Sequence, residues 1–396
     1  MQGRDGLRRS TNTRDRLAKA EPLLNAAVKL DPGFARAWCA LAGLHIRAYT
    51  TIDQSASRLA QVKACTDTAV RLAPDDPDVV LGLGNYIEIT GDLARAAELY
   101  QRVVRTQLNN TDALLALSFA SRKAGRWVEA LATVRQVRAL DPRAPDTGMR
   151  LFRSLFDLRR YEEMEQLARE SLSALQLPVL DEFEVARLAF YSRGASETLD
   201  AFVAKVAQRR RTEPDALIVA AQRTGETGDA AGLIRLWEEA GPDWRYSAVK
   251  ERYDLLVVAM AWIKLGQPER AKPVLEKNRD LLKVQLVAQP TNVTKQIDLA
   301  LTYAMLGDKA TAREFLAKVE KPEMLGGAGV DAAVVHAWLG QKDRAIALLA
   351  NMLTHPGVPF FGNVHALRRD LSLWPIQGDP AFEALLNDPK NNAPLF

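Results

Sequence analysis

The chain repeatedly closes one helix-forming run at a proline and opens another, and the spacing of those closures constrains its fold more than any other feature. "KLDPGFARAWCALA" spans residues 29 to 42, "RLAPDDPDVVLGLG" 71 to 84 and "ALDPRAPDTGMR" 139 to 150. From Pro32 to Pro74 is 42 residues and from Pro74 to Pro142 is 68, twice 34. A fixed period of this size marks one supersecondary unit used again and again. Proline has no backbone N–H and biases its predecessor to extended backbone, so the chain must turn at each closure.

The unit from 77 to 110 shows the internal grammar. Val80, Leu83, Gly84 and Ile87 form an apolar stripe at helical spacing, Gly91 ends that helix and Asp92 can cap the next, where Ala96, Tyr100 and Val103 form a second stripe. Leu114, Leu117, Gly125, Ala130, Val134, Val137 and Pro142 repeat the pattern one unit later. Each unit therefore reads as a helical hairpin, with small residues at 84, 96 and 130 where two helices cross closely.

Composition narrows the class. With 47% apolar and 26% charged residues the chain has the balance of a folded protein. The net charge is only +4 and the basic residues are spread along helices, which argues against direct nucleic-acid binding; "QRRRTEP" at 208 to 214 reads as a solvated helix end. Cys39 and Cys65 read as reduced core thiols, an expectation that favours a reducing, cytoplasmic compartment. "YDLLVVAMAWIKLG" at 253 to 266 is too short for a membrane span and reads as a buried helix. "MQGRDGLRRSTNTRDR" has no apolar core for a signal peptide, so no membrane partner is expected for this chain.

These residues resemble the tetratricopeptide repeat. Trp38 and Leu41 match the opening of its pattern, Ala20, Leu24, Ala27 and Pro32 its close, and Gly84, Ala96 and Tyr100 a third unit. The resemblance is strong from about residue 15 to 175 and resumes in Leu217, Gly228 and Trp237, in Trp262, Gly266, Ala271 and Leu275, in Leu299, Ala300, Tyr303, Gly307, Ala312 and Leu316, and in Gly340, Ala345, Leu349 and Pro356. It implies an all-α, right-handed superhelical solenoid of about 8–10 hairpins with a C-terminal capping segment. The expected divisions are an array over 1–176 with an insertion near 50–58, irregular hairpins over 177–250, further hairpins over 251–356 and a cap over 357–396.

A narrower resemblance lies in the tail. "LSLWPIQGDPAFEALL", residues 371 to 386, is similar to the closing signature of repeat regions in bacterial signalling proteins that carry a winged-helix, nucleotide cyclase or serine/threonine kinase domain. It implies, as an alternative to a stand-alone scaffold, a regulatory or sensing region without its effector. Physically, Asp379 can cap a helix with Pro380 at its first position, and Phe382, Leu385 and Leu386 with Trp374 are expected to cover the end of the last hairpin.

No motif of catalysis or metal binding stands out. The four histidines lack ligand spacing, "LGLGNY" at 81 to 86 has no preceding strand, and neither G-x-S-x-G nor H-E-x-x-H occurs. "GGAG" at 326 to 329 reads as a linker, and "DEFE" at 181 to 184 as a solvated helix face. A non-enzymatic chain without cofactor or metal is expected. What the repeat leaves free is the stripe that, in the tetratricopeptide fold, points into the concave groove from the first helix of each hairpin. By offset it holds Arg47, Asn85, Glu88, Phe119, Arg122, Lys123, Arg153 and Phe156. Arginines beside aromatics anchor partners by bidentate contact with carboxylates and by large buried area, so an acidic protein or peptide segment is the expected ligand. The chaperone-binding version of the family is disfavoured, since of its clamp positions only Asn85 carries the matching residue and Gly43 and Phe119 stand at the others.

Overall fold

Side-chain caps and left-handed glycines set the helix boundaries. Asp76 accepts a hydrogen bond from the Asp78 N–H with Pro77 at the first helical position, Asp92 accepts from Arg95, and Asn110 from Ala113. Gly91 and Gly125 turn the chain between paired helices at φ of +101° and +76°, where a side chain would be strained. The computed structural model describes residues 13–142, 145–172, 179–208, 214–240, 251–320, 326–357 and 363–396. The run at 209–211 and the first twelve residues lie outside them. The chain falls into two compact units, residues 1–151 and 152–396. Among the described residues it is helical and without strands.

The first unit contains α1 (Thr13–Leu30), α2 (Ala35–Thr51), α3 (Ala56–Leu72), α4 (Pro77–Ile89), α5 (Leu93–Thr106), α6 (Thr111–Lys123) and α7 (Trp127–Leu140). α2 packs on α3, α4 on α5 and α6 on α7, while α3 packs on α4 and α5 on α6, so each hairpin leans on the next. The hairpins expected from the 34-residue grammar are present. The small residues sit where the helices approach: a Cβ on Gly84 would lie 2.5 Å from the Tyr100 ring, and one on Gly82 2.4 Å from Cys39 Sγ. Cys39 donates its thiol to the Asp78 carbonyl, and burial pushes the thiol pKa up to about 11. The extra residues around "TTIDQSASRL" lengthen both helices of their hairpin, since α2 and α3 have 17 residues each against 13 and 14 for α4 and α5.

α8 (Pro145–Asp157) ends in the second unit, which continues with α9 (Tyr161–Leu167), a π-helical turn (Ala168–Leu172), α10 (Val179–Ala186), α11 (Leu188–Arg193) and α12 (Glu197–Ala207). Regular hairpins then resume: α13 (Pro214–Thr227) with α14 (Ala230–Ala240), α15 (Glu251–Lys264) with α16 (Pro268–Ala288), α17 (Val293–Met305) with α18 (Lys309–Ala317), and α19 (Gly326–Trp338) with α20 (Lys342–Leu353). α15 is buried through Leu256, Val258, Ala259 and Trp262, and no helix among the described residues is long and apolar enough to cross a membrane. "GGAG" forms the first turn of α19, which corrects its reading as a linker.

The tail caps the last hairpin and then does more. α22 (Pro380–Asn387), capped by Asp379, packs on α20 with Phe382 and Leu386 buried. Before it, α21 (Val364–Leu367) lies on α11 and α13, and a 3-10 helix (Leu371–Ile376) lies on α13, α15 and α19, the first helices of their hairpins. Trp338 donates its indole N–H to the Ser372 carbonyl at 2.8 Å. Trp374, expected to close the array, tilts against Trp338 and stays 37% exposed.

Both ends of this segment are tied to the corner between α8 and α9. Gly357 N–H donates to Asp157 O, Leu395 N–H to Leu158 O, and the Arg159 guanidinium to Leu353 O at 2.5 Å. Asn363, buried, donates from its amide toward the Tyr161 hydroxyl and the Tyr191 carbonyl at 2.8 and 2.9 Å. Arg159 itself holds a left-handed φ of +54°, an unfavourable conformation for a side chain with a Cβ. The second unit thus closes on itself, and the first helices α13, α15 and α19 are covered by their own chain.

Candidate partner-binding groove

In the first unit five of the expected residues lie on α4 and α6. Asn85 and Glu88 are three apart on α4, and Phe119, Arg122 and Lys123 stand at i, i+3 and i+4 on α6, so each set shares one helix face. Tyr100 of α5, fully buried, reaches between the α4 pair: its hydroxyl lies 2.9 Å from Asn85 Oδ1 and 3.0 Å from Glu88 Oε2. Sequence reasoning assigned Tyr100 to packing alone. A buried phenol needs a polar partner, and that requirement was the available signal.

The electrostatics follow from burial. Desolvation raises the Glu88 pKa above the ordinary carboxylate value, opposed by the Tyr100 hydrogen bond and by the Lys123 ammonium. Burial, with the Glu88 carboxylate beside it, also raises the Tyr100 phenol, which therefore stays protonated. On α6 the Phe119 ring is 36% exposed and carries two cations, with the Arg122 guanidinium 5.4 Å and the Lys123 ammonium 5.5 Å from its centroid. Arg122 also reaches the Trp127 ring at 6.0 Å. An exposed ring with two cations can bury apolar area and meet carboxylates in one place.

The other expected positions behave differently. Arg47 is exposed on α2 and takes no part in the hydrogen bonds of Tyr100. Arg153 is held in the second unit by Asp181 at 2.9 Å. Phe156 is a correction: it is 5% exposed and packs edge-on against Tyr191 and Tyr161, centroids 4.9 and 6.2 Å away. The stripe of α8 that turns inward is Phe152, Leu155 and Phe156, at i, i+3 and i+4, so Phe156 belongs to the core and presents nothing to a partner.

Sequence reasoning missed a buried charged network in the second unit. Arg187 pairs with Glu184 at 2.8 Å and with Glu226, and its guanidinium lies 4.5 Å from the Phe183 ring centroid. Arg223 pairs with Asp200 at 2.6 Å and lies over Phe190. "DEFE" is thus no solvated face at Glu184. Both of these guanidinium groups have a carboxylate beside them, as buried ions require. Among the described residues there is no grouping of three or more histidine, cysteine, aspartate or glutamate side chains able to hold a metal.

No family model matches the chain, and no curated protein does. Solved structures similar to it include PilF from Pseudomonas aeruginosa, at 15% identity over 51% of this chain and 88% of that one, with a TM-score of 0.38. The human IFIT1 dimer with PPP-AAAA is 15% identical over 93% of this chain and 84% of that one, with a TM-score of 0.46. A tetratricopeptide repeat protein from Parabacteroides merdae is 13% identical over 83% and 96%, with a TM-score of 0.29.

Proposed function

We propose that the chain is a non-enzymatic helical-repeat scaffold that holds an acidic segment of another protein on the first helices of its first unit. The observation that supports this most is the Phe119 ring, exposed and flanked by Arg122 and Lys123. The ring supplies an apolar anchor, and the cations attract carboxylates at an exposed surface where the interaction is sensitive to salt. In the second unit the first helices α13, α15 and α19 are covered by residues 364–376, which leaves the α4 and α6 faces as the partner surface of this reading. The free thiols Cys39 and Cys65 suit a reducing compartment, and a cytoplasmic location goes with the proposal.

The test is the affinity of a rhodamine-labelled hexa-aspartate peptide for the full chain, followed by fluorescence anisotropy at low salt. Arg122→Glu with Lys123→Glu should weaken binding by about a hundredfold, since each reversal turns an attraction into a repulsion, a change worth about 1.4 kcal/mol or more. Unchanged affinity in this variant would remove the assignment.

A further inference from the structure

The Asn85, Tyr100 and Glu88 cluster has a property that a partner surface does not require. Tyr100 has one hydroxyl hydrogen and two acceptors within reach, Asn85 Oδ1 and Glu88 Oε2. With Glu88 ionised, that hydrogen serves one of them at a time. With Glu88 protonated, the phenol donates to Asn85 and the Glu88 carboxyl donates to the phenol oxygen, so both contacts are satisfied. The arrangement has a place for one more proton.

Glu88 also lies within electrostatic reach of one of the proposed binding cations. Of the charged and titratable groups on the helices around α4, those that act on Glu88 are Tyr100 from α5 and Lys123 from α6; α2 and α3 contribute none. Lys123 is the same ammonium that flanks Phe119. A carboxylate arriving from a partner at Lys123 therefore meets the negative charge of Glu88.

We propose that Glu88 is an internal competitor of the acidic partner: ionised, its carboxylate attracts the Lys123 ammonium across space and repels the incoming segment, and protonation removes both effects. This rests on the reading of the α4 and α6 faces as the partner surface. The sign follows from linkage. The partner's negative charge makes Glu88 harder to ionise, so the complex holds more protons than the free chain, and affinity rises as pH falls through the range in which Glu88 titrates. Burial already moves that range upward from the ordinary carboxylate value. Glu88 so becomes a selectivity residue that admits acidic segments more readily in mildly acidic surroundings.

The same hexa-aspartate peptide reads this out, because its own carboxylates stay largely ionised between about pH 5.5 and 7.5. The wild-type chain should bind more tightly at the lower pH, by up to about tenfold, the limit that linkage sets when partner binding raises the pKa of a single group by about one. Glu88→Gln keeps an acceptor for Tyr100 while removing the charge. It should bind at neutral pH as tightly as the wild type does in acid, with little pH dependence left. Equal pH slopes in the two chains would overturn the role of Glu88 and leave the partner surface standing. Absence of peptide binding in both chains at every pH would instead overturn the partner surface, and this inference with it.

Discussion

A chain that stops after Gly357 should lose the folded second unit altogether. The segment removed buries Leu367, Leu371, Leu373, Ile376, Phe382 and Leu386. At about 1.5–3 kcal/mol for each large side chain buried, the loss is on the order of 10 kcal/mol, comparable to the whole stability of an ordinary domain. The truncation also strands Leu158 O, which accepts from Leu395 N–H, and the Tyr161 hydroxyl and Tyr191 carbonyl, which accept from Asn363. The expected result is the disappearance of one cooperative transition in thermal denaturation followed by circular dichroism. If the truncated chain kept the full helical signal and both transitions, the tail would be a detachable strap and not part of the core.

The second large effect is expected at Arg187. Replacing it by leucine leaves Glu226 buried, and Glu184 half-buried, without their cation. Breaking a buried pair from one side costs about 3–5 kcal/mol, whereas replacing both partners by apolar residues of similar size is often neutral. Arg187→Leu should therefore shift the denaturant midpoint of the second unit strongly downward, and adding Glu226→Leu should recover most of the loss. A single variant as stable as the wild type, or a double variant no better than the single, would show that the pair is not the desolvated contact described above.

The regular parts of the molecule were legible because they are written locally. Asp92 and Asn110 cap helices, Gly91 and Gly125 turn between them, and Gly84 faces Tyr100, all within one unit of sequence. The placement of Glu88 on α4 and of Phe119 and Lys123 on α6 could be reached by carrying an offset from one hairpin to the next. The same carrying misplaced Phe156, because beyond α8 the neighbouring helices are short and irregular and a different stripe turns inward. The closure of the second unit was not legible at all. Leu395 and Leu158 meet through backbone groups that every residue possesses, and nothing in the side chains advertises the pairing. Glu226, which shares Arg187 with Glu184, lies on α13, well beyond the helix that carries "DEFE", so an acidic run looked like a solvated face.

Two surfaces are at issue: the α4 and α6 faces, where the partner is proposed to bind, and the first helices α13, α15 and α19 of the second unit, which residues 364–376 occupy. Hydrogen exchange of the full chain with and without saturating hexa-aspartate peptide separates them. Slowed exchange confined to α4 and α6, with residues 364–376 unchanged, is the expected footprint. Protection on α13, α15 and α19 together with faster exchange in 364–376 would mean that the peptide displaces the tail, and would contradict the assignment of the partner to the first unit.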